Sequence, residues 1–153
     1  MEIWKPNVTV AALIERDGYF LLVEEETTDG LRFNQPAGHL DEGESLVAAC
    51  AREAMEETAH DFTPTELVGV YQWPRPHKVS EGDITYLRFA FAGKVGAHET
   101  ARKLDTGIVR AVWLTVAEIE ACADRHRSPL VLQCVRDYLS GRRFPLDLIH
   151  HYG

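Results

Sequence analysis

The order of elements along this sequence predicts a mixed α/β fold, in which apolar strand-like runs precede an acidic helix and further strands precede two more helices. Three observations carry that expectation. Val8 to Glu15 and Tyr19 to Val23 are β-branched and aliphatic runs split by Asp17-Gly18, the signature of a hairpin with a tight turn. Ser45 to Thr58 repeats its apolar side chains with helical period, and Thr115 and Ser128-Pro129 each open a further helix. No internal repeat, low-complexity segment or linker divides the chain, so one domain over residues 1–153 is expected.

Composition narrows the function. With 153 residues, 45% hydrophobic and 26% charged, the chain can bury a core without disulfides and stay soluble. No apolar run reaches the roughly 20 residues of a membrane span, and Pro6 and Asn7 lead directly into strand-like sequence where a secretory signal would lie. A cytoplasmic protein with no membrane partner is the expectation, with a monomer as the default. Cys50, Cys122 and Cys134 lie at wide spacings within expected helices and are read as small core residues. The net charge of −8 repels a nucleic-acid backbone, which excludes a polynucleotide. A small phosphorylated substrate stays open, because a metal can neutralise its charge locally.

In chain order, Glu24-Glu25-Glu26 ends the second strand, either as an exposed strand end or as support for a metal or substrate. Thr27 to Leu31 reads as a loop. Arg32 to Gly38 is a short extended segment in which Pro36 cannot donate to a ladder, placing it at an edge, bulge or strand end. Gly38 tolerates unusual backbone geometry, leaving its carbonyl free to point at the helix that follows. In that helix Val47, Ala51 and Ala54, widened by Leu46, Ala48 and Cys50, form a packed face, with the acids on the other. Leu67 to Trp73 reads as a strand running into a Pro74-Arg75-Pro76 loop, and Ile84 to Phe91 as its partner. Gly93 to Gly107 is a polar connection, and Ile108 to Leu114 a further strand. Thr115 and Glu118 have capping-box spacing, and the last helix runs to about Leu139, before Gly141.

Glu53, Glu56 and Glu57 share one helix face, since positions i, i+3 and i+4 do. Like charges at these spacings destabilise an isolated helix by about 0.2–0.5 kcal/mol per pair. A bound cation reverses that sign, and clustered carboxylate oxygens suit Mg2+, Mn2+ or Ca2+. The alternative is a solvated acidic face that Arg52 partly neutralises.

Taken with the turn before it, the helix resembles the Nudix box, G-x5-E-x7-R-E-U-x-E-E-x-G-U with U a bulky aliphatic residue. Gly38, Glu44, Arg52, Glu53, Glu56 and Glu57 stand in its fixed positions. Lys5-Pro6-Asn7-Val8-Thr9-Val10, Asn34 to Leu40, Gln72-Trp73 and Arg127-Ser128-Pro129-Leu130 extend the resemblance to the NudJ-type phosphatase branch, from about Lys5 to Pro145. The chain departs at Ala59, where the motif has glycine, and at Ala54 and His60, where it has bulky aliphatics.

The resemblance implies an α/β/α sandwich around a mixed sheet and metal-dependent hydrolysis of a phosphoanhydride. Glu53, Glu56 and Glu57 are then ligands of Mg2+, or of Mn2+, helped by the Gly38 carbonyl. Glu53 is the first candidate for the base, with Glu99 and Asp105 as candidates outside the box. Arg52 orients a glutamate, and Glu44 either serves as an extra acid or tunes the helix start. Trp73 either stacks on a base or packs in the core, and Arg88 either holds a phosphate or pairs with an acid. The branch implies nucleoside di- and triphosphates and small pyrimidine diphosphates, such as that of hydroxymethylpyrimidine, as substrates, with release of orthophosphate. A pyrophosphohydrolase or nucleotide-sugar hydrolase releasing a monophosphate is the second expectation, and a non-catalytic nucleotide-binding domain the third.

Overall fold

The computed structural model describes residues 1–78 and 82–153 and contains two sheets. In the first, β1 (Asn7–Leu13) lies between β5 (Ala37–His39), which is antiparallel to it, and β7 (Gly82–His98), which is parallel. On the far side of β7 come β6 (His60–Lys78) and then β9 (Phe144–Pro145), both antiparallel. In the second, β3 (Tyr19–Thr27) pairs with β2 (Glu15–Arg16), β4 (Gly30–Asn34) and β8 (Ile108–Thr115), all antiparallel.

Alternation along β1 explains how helices come to cover both faces of the first sheet. Val10 and Ala12 meet Ala49, Cys50 and Ala54 of α1 (Leu46–Thr58). Ala11 and Leu13 meet Ile119 of α2 (Val116–Ala121), Val131, Cys134 and Val135 of α3 (Leu130–Leu139), and Phe20, Leu22 and Phe33 of the second sheet. The result is the α/β/α arrangement the sequence implied. Val10 to Leu13 are all at most 1% exposed, so β1 is apolar on both faces, as a central strand with a parallel neighbour must be. No helix among the described residues is long and apolar enough to cross a membrane.

The structure corrects several sequence expectations. Asp17 and Gly18 do form the turn, with φ of 53° and 83°, but only Glu15 and Arg16 pair back onto β3; β1 itself belongs to the other sheet. The loop after β3 shrinks to Thr28 and Asp29, because Glu24 to Thr27 continue the strand and β4 begins at Gly30. Pro74, Arg75 and Pro76 are strand, and so are Gly93 to His98, in one long β6–β7 hairpin. The prolines are tolerated because β9 covers β6 only at Glu66 and Leu67, leaving an outer edge where a missing N–H costs no ladder bond. Cys122 terminates α2 and is not inside it.

All three predicted helix starts are present, α3 opening directly after Pro129. Ser45 accepts the Ala48 N–H at 3.0 Å to cap α1, a contact worth about 1 kcal/mol, and Thr115 and Glu118 complete their capping box. At its far end α1 stops on Ala59 with φ 57°, ψ 25°, the left-handed cap that the motif's glycine would provide without strain. The acid side of α1 differs from expectation. Glu53 and Glu57 are each 8% exposed, packed inward, whereas Ala48, assigned to the packed face, is exposed.

Candidate active site

Strand β5 and helix α1 form the centre of the site. They meet so closely that a Cβ built on Gly38 would lie 2.2 Å from the Glu53 Cδ, so the missing side chain of Gly38 is the space the carboxylate fills. One residue earlier, the Ala37 N–H donates to Glu57 Oε1 at 3.0 Å. These two contacts pull Glu53 and Glu57 under the edge of the sheet.

The ladder assigns the strand's carbonyls. Ala12 N–H donates to the Pro36 carbonyl and Leu40 N–H to the Val8 carbonyl, at 2.9 and 3.1 Å. Antiparallel pairs alternate, so Gly38, opposite Val10 and midway between them, also faces β1 with its N–H and carbonyl. The outward backbone groups are those of Ala37 and His39. This overturns the expectation of a free Gly38 carbonyl: the His39 carbonyl accepts Arg52 Nη2 at 3.1 Å, and the carbonyl left facing outward beside Glu57 is that of Ala37.

Arg52 gathers the remaining acids. Its Nε and Nη2 donate to the two oxygens of Glu44 at 2.7 and 2.9 Å, and its Nη1 to Glu53 at 2.8 Å and to Glu56 at 3.2 Å. Glu44 also accepts the Asp41 N–H, and Arg52 together with this bond holds its carboxyl below the usual range. Burial works the other way on the inward pair. It pushes Glu53 up to about 6 against the pull of Arg52, and Glu57 up to about 8 against the Ala37 N–H. Asp105 adds to both shifts, and its N–H donates to the Glu56 carbonyl, so it stands near the acids although it is exposed. Glu99 is exposed and paired with Arg102 at 3.8 Å, and its N–H donates to the Ala59 carbonyl at the end of α1.

Among the described residues no three carboxylate, imidazole or thiol side chains converge as a ready-made cage, Glu53 and Glu56 being drawn to Arg52. The donor set still suits a hard divalent cation. It is all oxygen, it is carried by a buried carboxylate, Glu57, which accepts the Ala37 N–H, and it is flanked by an outward backbone carbonyl.

A cavity of about 860 Å³ opens beside these acids. It is lined by the acids Glu53, Glu57, Glu25 and Asp41 and also by Arg88, Arg127, Trp73 and Tyr86, with Arg127 paired to Glu25. Trp73 and Tyr86 are register partners on β6 and β7, with ring centroids 6.0 Å apart and planes within 19°. Trp73 is half-buried at the cavity, not in either core cluster. Among the described residues Arg88 pairs with no acid; it binds Gln35 and Asn34. The acids of β3 divide. Glu24 is buried between Arg110 and Arg125, while Glu25 and Glu26 line the cavity. Sequence reasoning gave no role to Tyr86, Asn34, Gln35 or Arg127. Three of these lie inside segments that carried the family resemblance, which was the available signal; Tyr86 had none.

Fold and site together define a Nudix enzyme. The NUDIX domain family matches residues 4–134, and the chain belongs to that family. It is 40% identical over 151 residues to the phosphatase NudJ of Escherichia coli K12, covering 99% of this chain and 95% of that protein. A NUDIX hydrolase from Nitrosomonas europaea superposes with a TM-score of 0.90 at 53% identity, covering 97% of this chain and 98% of the other. A MutT NUDIX hydrolase from Burkholderia pseudomallei shares the fold at a TM-score of 0.70 and 17% identity, covering 88% of this chain and 98% of that one. The protein is therefore an enzyme acting on phosphoanhydrides, in a family that generally uses divalent metals.

Proposed function

We propose that this enzyme is a Mg2+-dependent phosphatase of nucleoside di- and triphosphates and of small pyrimidine diphosphates of the hydroxymethylpyrimidine kind, releasing orthophosphate. The observation that carries the proposal is the close seating of Glu53 against Gly38, with Glu57 bonded to Ala37, at the wall of a cavity of nucleotide size. The E. coli relative, a phosphatase, supports orthophosphate as the product.

Glu53, Glu56 and Glu57 would hold the metal with the outward Ala37 carbonyl. When bound, Mg2+ supplies polarisation of the phosphoryl oxygens and a water of lowered pKa. Arg52, fixed by Glu44, positions Glu53 and Glu56. Glu53 is assigned the water's proton, with Asp105 a second candidate, outside the helix. Trp73 and Tyr86 offer a flat surface for the heterocycle. The reaction would take place in the cytoplasm on small molecules.

Product analysis with Mg2+ and GTP tests this reading. Orthophosphate with GDP is the expected first product pair; pyrophosphate with GMP as sole products would replace the proposal with a pyrophosphohydrolase.

A further inference from the structure

We propose that Arg88 and the N-terminal end of α3 form an anion subsite that works without metal and holds a phosphoryl group of the substrate not engaged by the acids of α1. The inference rests on the phosphoanhydride reading above and adds the second point at which the substrate is gripped.

Arg88 is 6% exposed. Its Nη1 donates to Gln35 Oε1 at 2.8 Å and lies 3.9 Å from Cys134 Sγ, and its Nη2 donates to Asn34 Oδ1 at 3.0 Å. All three partners are neutral. The cavity's Arg127 pairs with Glu25 at 2.9 Å, and Arg52 beside it serves several acids. Arg88 thus carries a buried charge with no opposite charge among the described residues, an arrangement that is costly unless a ligand completes it.

The guanidinium is also fixed. Gln35, 1% exposed, donates from Nε2 to the Val131 carbonyl at 2.7 Å, so its oxygen cannot turn away from Arg88. That same bond ties the arginine to the first turn of α3, whose Ser128 and Leu130 line the cavity. A helix N-terminus presents the positive end of its dipole, and here its field adds to the charge of Arg88, although the Leu130 and Val131 N–H groups are already bonded to Ser128. Thr9, the register partner of Arg88 on β1, lines the cavity between them and β5. A net positive corner favours an anion over the neutral edge of a heterocycle. The flat group has its own surface one pleat further out, at Tyr86 and Trp73.

Calorimetric titration of inorganic phosphate into the full-length protein in EDTA tests the subsite apart from turnover. Wild type should bind, Arg88→Gln should weaken binding at least about tenfold, and Arg88→Lys should fall between the two. With Mg2+ and GDP, Arg88→Gln should raise KM by a similar factor while circular dichroism stays native. Should Arg88→Gln not fold, the arginine side-chain NMR signals of wild type still decide, because phosphate must move the one missing from Arg88→Lys. No phosphate binding by wild type in EDTA overturns the proposal. So does unchanged phosphate affinity in Arg88→Gln with an altered ratio of KM for GDP and UDP, which would make Arg88 a reader of the base. If the enzyme instead released pyrophosphate, phosphate binding in EDTA would be untouched, so the two readings fail separately.

Discussion

Glu53 occupies the space that any side chain at position 38 would fill, with its carboxylate carbon and both oxygens 2.2 to 2.4 Å from the site of an added Cβ. Gly38→Ala must push Glu53 or β5 aside. Displacement of about 1 Å at a catalytic group costs on the order of 100-fold, so kcat should fall by that order in the variant. Native far-UV circular dichroism with unchanged kcat would show that Glu53 need not sit there.

Glu57 should matter through its charge. Glu57→Gln keeps the size of the side chain and its contact with Ala37 but removes a metal-binding oxygen charge, and turnover in Mg2+ should drop by about 10²-fold or more. Metal affinity measured by calorimetry should drop with it. Retained turnover would take α1 out of the mechanism.

Ala59→Gly removes the Cβ from a left-handed position, a relief of about 1 kcal/mol. Ala59 is also 1% exposed, and the lost methyl group returns up to about 0.8 kcal/mol. The net effect is a small gain, about 0.2–0.5 kcal/mol, or roughly 1 °C in Tm, with kcat unchanged. A fall of several degrees in differential scanning calorimetry would mean that packing outweighs the strain.

Glu24 links stability to pH away from the reacting groups. Hydrogen bonds from Arg110 and Arg125 hold its carboxyl below the usual range in the folded state. A depressed folded pKa means that its contribution is fully present above the unfolded value of 4.5 and disappears as pH falls through the folded one. Because the two arginines are themselves 54% and 40% exposed, Glu24→Gln should cost only about 1–2 kcal/mol at pH 7. Urea unfolding should show that difference shrinking below pH 4.5; a constant difference would mean that the ion pairs add nothing.

What the sequence revealed follows from where the governing interactions lie. Ser45, Thr115 and the turn at Asp17-Gly18 act on backbone within four residues, and all three appear where local chemistry put them. The family motif placed the acids on α1, but not their burial, because Glu53 and Glu57 are turned inward by Gly38 and Ala37 across a tertiary contact. The Gly38 carbonyl faces β1 for a reason of the same kind: ladder alternation depends on the partner strand. Pro74 and Pro76 read as a loop because a sequence does not announce that a strand has an open edge. Arg88 could not be separated from an ordinary ion-pair residue until its neutral partners, Asn34 and Gln35, were seen.

The parallel pairing of β1 with β7 also bears on how the chain reaches this state. Thr9 and Arg88 are register partners, although α1 and all of β6 lie between them in sequence. Long closures of this kind slow folding, since chain entropy is lost before the contacts that repay it form. On the ribosome, the acidic helix and its edge strand emerge well before β7. Until that strand arrives β1 has an unpaired edge, and the face carrying Ala11 and Leu13 waits longer still, for α2 and α3. Assembly of the cavity is therefore a late event in folding, and substitutions that loosen the β1–β7 seam should first show themselves as misfolding in the nascent chain.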